Sequence, residues 1–311
     1  MSGQKRDYRG HARHHEPRDR QQHREPPKPR QPTVRNAYTP MFERFRDELD
    51  EHHDRRERLA KASRDVTGLS KKIIFSLQRV REIQSDLPDD ISNEMQSRLA
   101  EAATLLSSVA GELQGINRWR YMRQMSCIEE LMEALTFAHY LRTQSLMSFD
   151  NAAQTLRDLS TRSAGPDKED VAMQDDAGAL SNAPSPAEQG EKEAKPFISL
   201  AEDDYLGGVF DLSGEMMRFA TTTAALKGRM AGSGTDGSGR DRTIVVDMQD
   251  LGSFFEMLPQ QHTKSYQIKM STLRASVLKV EKLGYGLTVR GSERPKGWMP
   301  DTDEQEQVLE D

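Results

Sequence analysis

The sequence is poor in the residues that build and cross-link a compact core. Among its 311 residues there is one cysteine, Cys127; aromatic residues make up 6% and hydrophobic residues 35%. A single cysteine excludes an internal disulfide and a cysteine-based zinc site, and it fits a reducing intracellular compartment. The mean hydropathy is −0.80. A chain of this composition either contains segments that do not fold or builds a fold of thin layers.

Long apolar runs are absent as well. The chain contains no run of about 18 consecutive apolar residues, the length that a transmembrane helix needs. We therefore expect no transmembrane helix and no membrane partner. The first residues, MSGQKRDYRGHARHH, contain no apolar segment of the type found in secretory signal peptides. We therefore expect a protein of the cytoplasm and nucleus.

Charge is distributed unevenly along the chain. The whole sequence has 44 Lys and Arg against 50 Asp and Glu, a net charge of −6. Residues 1–36 alone have 10 basic against 4 acidic residues, together with five prolines and almost no large aliphatic side chains. This composition predicts a disordered basic arm. The arm is either a solvated tail, a nuclear targeting signal or a segment attracted to nucleic acid.

Three further segments have the composition of linkers. Residues 162–195 are acidic and without aromatic residues, and they predict a disordered insertion. Residues 231–240, AGSGTDGSGR, predict a Gly/Ser linker, and residues 294–311 predict an acidic tail. The remaining sequence between residues 37 and 293 is expected to form one helical domain.

Apolar residues in this domain recur at helical spacing. Steps of three and four from Phe42 to Leu87 meet an apolar residue at nine of fourteen positions, which predicts one helix of about 45 residues. Further helices are predicted from Ile91 to Gly115, Asn117 to Phe149, Ala152 to Leu159, Ser199 to Lys227, Asp247 to Leu258 and Lys264 to Val289. Only TIVVDM, residues 243–248, resembles a strand. The predicted class is all-α, an elongated helical bundle.

Two acidic pairs interrupt these apolar stretches. Glu130 and Glu133 are three residues apart, and Asp211 and Glu215 are four apart, so each pair lies on one helix face. Carboxylates on facing helices can hold Mg²⁺ or Mn²⁺, which polarise a phosphoryl oxygen and activate water. The alternative is structural: Glu215 pairs with Arg218, and Glu130 belongs to a polar stripe.

A basic and aromatic cluster precedes the first acidic pair. Arg118, Arg120 and Arg123 alternate with Trp119 and Tyr121. Such a mixture suits single-stranded nucleic acid, through phosphate contacts and base stacking. The alternative is an ordinary helix surface with salt bridges.

Three other features indicate packing more than chemistry. Cys127 is expected in the core, and His139 is expected to be packed or locally hydrogen-bonded. Gly207-Gly208 follows no strand and lacks the spacing of a dinucleotide-binding loop.

Four segments together resemble the translin family. The run FERFRDELDEHHDRRERLAKASRDVTGLSKKIIFSLQR resembles a first helix of that family, and three later blocks follow in the family's order: EELMEALTFAHYL, FISLAEDDYLGGVFDLSGEMMRFATT and KVEKLGYGLTVRGSERPK. DLSGE, the VRGSERPK ending and the basic arm are similar to its translin-associated factor X (TRAX) branch. The resemblance covers about residues 37–160 and 197–297.

This resemblance implies a fold, partners and an activity. It implies seven helices and assembly with translin into a hetero-oligomer, octameric in the family. It implies binding of single-stranded RNA and DNA and an Mg²⁺-dependent endoribonuclease, with Mn²⁺ as a possible substitute. The processes implied are passenger-strand removal in RNA silencing and the processing of tRNA and small RNAs.

The resemblance also assigns roles to residues. Glu130 and Glu133 match the family's E-x-x-E pair, and Asp211 and Glu215 match its D-x-x-x-E pair. These four would bind the metal and form the catalytic site, while nearby Arg and Lys would hold RNA phosphates. The insertion at 162–195 and the linker at 231–240 depart from the family pattern. The alternative function is a non-catalytic partner of translin that binds single-stranded nucleic acid and acts as a scaffold.

Overall fold

The computed structural model describes residues 36–162, 195–232 and 242–290. Within these residues the backbone forms eight α-helices and two 3₁₀ turns and contains no strand, which confirms the all-α class. One helix is a single turn of four residues, so seven longer helices remain. The helices are α1 (Thr39–Leu77), α2 (Asp89–Ala110), α3 (Asn117–Arg120), α4 (Cys127–Thr143), α5 (Phe149–Thr161), α6 (Glu202–Lys227), α7 (Ile244–Met257) and α8 (Lys264–Arg290).

Several predicted segments lie outside this description. The basic arm up to residue 35, the acidic insertion from 163 to 194, most of the Gly/Ser linker and the whole acidic tail fall there. Across the described residues, no helix is both long and apolar enough to cross a membrane.

The described residues divide into two compact units, with the boundary between residues 48 and 49. In the first unit, the Asn36 side-chain oxygen accepts hydrogen bonds from the backbone N–H groups of Tyr38 and Thr39, both at 3.0 Å. These bonds satisfy backbone donors that would otherwise be free where α1 begins. The rings of Phe42 and Phe45 meet edge to face with centroids 6.1 Å apart, and both side chains are at least half exposed.

The second unit is built around α4. This helix buries residues on nearly all of its circumference, as its dense apolar sequence predicts, and it packs against α6, which also contacts α8. The side chains of α4 that are almost completely buried include Ile128, Leu131, Met132, Phe137 and Leu141. Burial of each such side chain contributes about 1.5–3 kcal/mol.

The long first helix ends earlier than its apolar spacing predicts. It ends at Leu77, and the predicted continuation to Leu87 is wrong. Val80 and Leu87 are still buried, but in a non-helical segment. There the N–H of Gln84 donates to the carbonyl oxygen of Leu141 at 3.1 Å. Because that carbonyl lies in the last turn of α4, the segment caps another helix instead of extending its own.

The predicted helix from Asn117 to Phe149 is likewise interrupted. It consists of α3, a 3₁₀ turn at Met122–Met125 and α4, which ends at Thr143. Gln144 then takes a left-handed conformation with φ 53°, which terminates the helix. The predicted short helix after residue 148 is confirmed as α5. Ser148 caps it, as predicted, because its Oγ accepts a hydrogen bond from the N–H of Asn151 at 3.2 Å.

A buried carboxylate connects the end of α4 to the start of α7. The Tyr140 hydroxyl and the Gln144 amide donate to Asp247 Oδ2 at 2.8 and 2.9 Å. Arg242 Nε donates to Asp247 Oδ1 at 2.9 Å. Burial, followed by the charge of Asp247, raises the pKa of Tyr140 well above its usual value. The carboxylate is therefore satisfied by three donors, as a buried charge requires.

The strand-like segment 243–248 is helical. Only Thr243 is extended, and α7 begins at Ile244. Ile244, Met248, Leu251 and Phe255 are buried, which is the spacing of one helix face. The β-branched residues at the start of this face gave the six-residue segment its resemblance to a strand, and packing of the longer helix overrides that local preference.

Two glycines set the distance between α4 and α6. A methyl group at Gly208 would lie 2.6 Å from Met132 Cβ and 2.8 Å from the Glu129 carbonyl oxygen. A methyl group at Gly207 would lie 2.6 Å from the side-chain carboxyl carbon of Glu129. Side chains at these positions would push the helices apart, so the glycines permit the close approach.

We predict opposite effects for two alanine substitutions in α6. Gly208→Ala should lower the free energy of unfolding by about 1–3 kcal/mol, since the backbone of α4 must move to admit the methyl group. Gly214→Ala is the matched control because nothing lies within 4 Å of its added carbon, and it should raise stability by about 0.5–1 kcal/mol. Urea unfolding of both variants measures the difference, and equal effects would contradict the close approach.

Candidate metal and nucleic-acid site

The two predicted acidic pairs meet where α4 packs against α6. Glu130 and Glu133 project from α4, and Asp211 and Glu215 project from α6. Glu129 and Glu130 lie in the first turn of α4, where the helix dipole favours negative charge. Burial, followed by repulsion from Asp211, Glu130 and Glu215, raises the pKa of Glu133 to about 8. The four carboxylates thus form one electrostatic group.

Two of these acids have partners on the first helix or just after it. Lys71 Nζ lies 3.7 Å from Glu130 Oε2. Burial raises the pKa of Glu130, while Lys71 opposes the shift. The Gln78 amide donates to Glu215 Oε2 at 2.8 Å, and Arg218 Nε lies 3.5 Å from Glu215 Oε1. The structural alternative for Glu215, a pair with Arg218, is therefore present beside the acidic group.

A lysine on α8, which was not predicted from the sequence, completes the site. Lys269 Nζ donates to both carboxylate oxygens of Asp211 at 2.7 Å and lies 2.5 Å from Glu129 Oε1. Burial works to lower the pKa of Lys269, but hydrogen bonds to Asp211 and Glu129 outweigh it and the pKa is raised. The ammonium therefore stays charged. No local signal marks this residue, since its partners are separated from it by 58 or more positions.

The charges of the site do not balance. Five carboxylates, those of Glu129, Glu130, Glu133, Asp211 and Glu215, face three cationic side chains, those of Lys71, Arg218 and Lys269. Because a pKa of about 8 keeps Glu133 largely protonated at pH 7, four ionised carboxylates face three cations and one negative charge remains uncompensated. Oxygen donors of this kind suit Mg²⁺. In donor chemistry and charge the residues fit a divalent cation.

Their present arrangement is an ion-pair network. In residues 36–162, 195–232 and 242–290, no group of three or more acidic, histidine or cysteine side chains has the spacing of a metal-ligand set. Asp211 and Glu129 direct their oxygens to Lys269 instead. Magnesium binding by Glu130, Glu133, Asp211 and Glu215 stays a prediction.

The predicted nucleic-acid residues are in different environments. Arg118 is buried; its Nε donates to the Ser199 carbonyl at 3.0 Å and its Nη2 to Asp204 Oδ2 at 2.5 Å. Burial raises the pKa of Asp204, and Arg118 opposes that shift. The expectation that Arg118 contacts nucleic acid conflicts with this burial, because its guanidinium anchors the start of α6. The alternation of arginine and aromatic residues from Arg118 to Arg123 gave no indication that Arg118 is buried.

Arg120 and Arg123 remain at the surface. Both side chains are exposed, as is Trp119, with 64% of its surface accessible. Arg120 Nη1 lies 2.9 Å from His52 Nε2, and His52 Nδ1 lies 2.5 Å from the Tyr121 hydroxyl. The nucleic-acid role of Arg120 and Arg123 stays a prediction.

Two residues expected to pack do so. Cys127 is buried, and this burial raises the pKa of its thiol to about 11, so the thiolate is unavailable as a nucleophile at neutral pH. His139 Nε2 lies 3.2 Å from Ser145 Oγ, a local contact.

The geometry can be compared with known proteins. The model of the translin family matches residues 54–291, which include every acid of the site and Lys269. The chain belongs to the translin family. It is 33% identical over 267 residues to Translin-associated protein X of Rattus norvegicus, covering 84% of this chain and 81% of the relative. The resemblance to the TRAX branch is thereby confirmed.

A more distant relative and a solved structure are also similar to this chain. The Translin-associated protein X homolog of Schizosaccharomyces pombe is 25% identical over 261 residues, which cover 81% of this chain and 89% of the homolog. Among solved structures, the crystal structure of apo-NeC3PO aligns with a TM-score of 0.47 and 13% identity, over 78% of this chain and 95% of that one.

We predict that Glu133 makes stability depend on pH. Its pKa rises from 4.5 in the unfolded chain to about 8 in the folded one, so the folded protein binds the proton more tightly. This contribution to stability is complete below pH 4.5 and is lost as the pH rises to about 8. Glu133→Gln keeps the neutral form, so it should be more stable than the wild type by about 1–3 kcal/mol at pH 7.

Denaturant unfolding from pH 4.5 to 8.5 measures the effect. The difference between Glu133→Gln and the wild type should be near zero at the acidic end and grow with pH. Glu101→Gln, at an exposed position of α2, removes the same charge and should show no such trend. A constant difference across the pH range would rule out a raised pKa at Glu133.

Proposed function

We propose that this chain is the catalytic subunit of a single-stranded RNA endoribonuclease that depends on Mg²⁺ and works in a complex with translin. The observation that carries the proposal is the convergence of two acidic pairs from α4 and α6, which repel one another strongly enough to raise the pKa of Glu133 and leave an excess of negative charge. Burying several carboxylates together lowers the stability of the fold unless a cation neutralises their charge. A structural core has no need of such a group.

Partnership with translin is supported by the family and by the names of the similar proteins, which call them translin-associated. Exposed apolar side chains on α1 suit a subunit contact. Phe42 is 63% and the neighbouring Phe45 50% exposed, whereas monomeric proteins rarely expose clustered large apolar residues. Octameric assembly, passenger-strand removal, tRNA and small-RNA processing, and location in the cytoplasm and nucleus belong to the same proposal.

In the proposed mechanism, Glu130, Glu133, Asp211 and Glu215 hold the divalent cation. A bound Mg²⁺ would polarise a phosphoryl oxygen and make a coordinated water more acidic. The protein's own groups orient these acids: Gln78 fixes one oxygen of Glu215, and Lys71 lies beside Glu130. We propose water as the nucleophile, since the side chains of Cys127 and Ser213 are poorly placed for that role: both are buried, and Ser213 donates its hydroxyl to the Phe210 carbonyl at 2.6 Å.

The alternative is a subunit that binds single-stranded nucleic acid and supports translin without cleaving RNA. The ion pairs of Lys269 favour it, since they occupy Asp211 and Glu129. The exposed Trp119 and the exposed arginines of the same region would then provide stacking and phosphate contacts. This alternative predicts binding that weakens with salt, and no cleavage that depends on a divalent metal.

We predict that Asp211→Asn abolishes cleavage while leaving assembly intact. The amide keeps the size of the side chain but loses the charge that a divalent cation needs, so cleavage should fall by at least about 100-fold. The substituted chain is co-expressed with translin, and cleavage of single-stranded RNA is measured with Mg²⁺ and with EDTA. The control is Asp250→Asn, an exposed acid on α7, which should cleave at the wild-type rate.

The outcomes separate the two functions. Full cleavage by an assembled Asp211→Asn complex would refute the assignment of the site to this chain. RNA binding without any EDTA-sensitive cleavage, in the wild-type complex as well, would favour the binding and scaffolding role.

A further inference from the structure

The ammonium of Lys269 lies among the acids of the candidate site and binds one of the four predicted metal ligands, Asp211. It contacts both oxygens of Asp211 at equal distances of 2.7 Å, and it also reaches Glu129 Oε1 at 2.5 Å. A fourth acceptor atom is the Gly207 carbonyl oxygen at 3.3 Å. An ammonium group has three N–H donors, so all three are directed to acceptors on α4 and α6.

This contact differs from a surface salt bridge. The side chain of Lys269 is only 23% exposed, and it comes from a third helix, α8. Exposed ion pairs have little fixed geometry and contribute about 0–1 kcal/mol. Here the acceptors are fixed by the close packing of α4 and α6, and the acids around the ammonium repel one another without it.

We propose that Lys269 is a positioning residue that holds the acidic site together in the metal-free protein and competes directly with a divalent cation for Asp211, while its ion pair with Glu129 keeps the ammonium beside the site. The inference rests on the proposed function. An ammonium and a divalent cation cannot both take the same pair of Asp211 oxygens. Cation binding therefore requires Lys269 to withdraw, and its flexible four-carbon chain and partial exposure allow that movement.

The competition makes metal affinity depend on Lys269 in a predictable direction. Loss of the lysine removes one positive charge next to the acids and frees both oxygens of Asp211. The site should then attract a divalent cation more strongly, while the metal-free protein loses the charge that offsets carboxylate repulsion. If Lys269 only oriented the acids for the cation and did not compete with it, its loss would weaken cation binding.

The experiment compares Mn²⁺ binding to the full chain and to Lys269→Met, with free Mn²⁺ measured by electron paramagnetic resonance. Lys269→Met should bind Mn²⁺ about tenfold more tightly than the wild type. Its metal-free Tm should be lower, and saturating Mn²⁺ should raise its Tm more than that of the wild type. The control is Lys279→Met on the exposed side of α8, which removes the same charge and should leave both measurements unchanged.

A second variant covers the case in which Lys269→Met does not fold. Lys269→Arg keeps the charge but presents a planar guanidinium that grips a carboxylate with two parallel hydrogen bonds. It should compete better and weaken Mn²⁺ binding several-fold. Unchanged affinity in Lys269→Arg, or unchanged or weaker affinity in Lys269→Met, would overturn the inference.

The result is also distinguishable from failure of the proposed function. If the wild type binds Mn²⁺ in a way that Asp211→Asn abolishes, but Lys269→Met does not bind it more tightly, only the role of Lys269 is refuted. If neither protein shows Mn²⁺ binding that depends on Asp211, the proposed site and the inference are both refuted.

Discussion

The close approach of α4 and α6 is the constraint on which the rest of the structure depends. It is possible because Gly207 and Gly208 present no side chain to α4, so that Met132 and the backbone of Glu129 come into direct contact with α6. The same approach sets the distance from Glu133 to Asp211 and Glu215, and thereby the repulsion among them. A site that needs several carboxylates within reach of one cation therefore follows from a packing feature of two residues.

One helix serves both the core and the site. Residues of α4 are buried on nearly every side, and its acids occupy the narrow remainder of its surface. The apolar burial stabilises the helix by far more than the acids destabilise it, so the unfavourable group is held in place by its neighbours. This explains why Glu133 can remain half-buried with a strongly raised pKa instead of turning to solvent.

Much of the fold and each acidic pair could be predicted from short-range periodicity, whereas the assignment of the two pairs to one site came from the resemblance to the translin family. The pairs Glu130/Glu133 and Asp211/Glu215 share helix faces at three- and four-residue spacing, and helices are recognisable from apolar residues at the same spacing. Lys269 escaped prediction because its partners lie on other helices, at separations that no local pattern encodes. The burial of Arg118 escaped prediction for a related reason: its ion pair with Asp204 joins distant segments.

The helix crossing and the position of the lysine are physically coupled. The Glu129 side chain lies over Gly207, in space that any larger residue would occupy, and the Gly207 carbonyl accepts a hydrogen bond from Lys269. A change in the separation of α4 and α6 would therefore alter both the distances among the acids and the positions of the oxygens that bind the Lys269 ammonium. The contact between α4 and α6 therefore sets both the repulsion among the acids and the place of Lys269, which competes with a cation. Lys269 of α8 binds the carbonyl of the same glycine whose missing side chain lets the two helices approach.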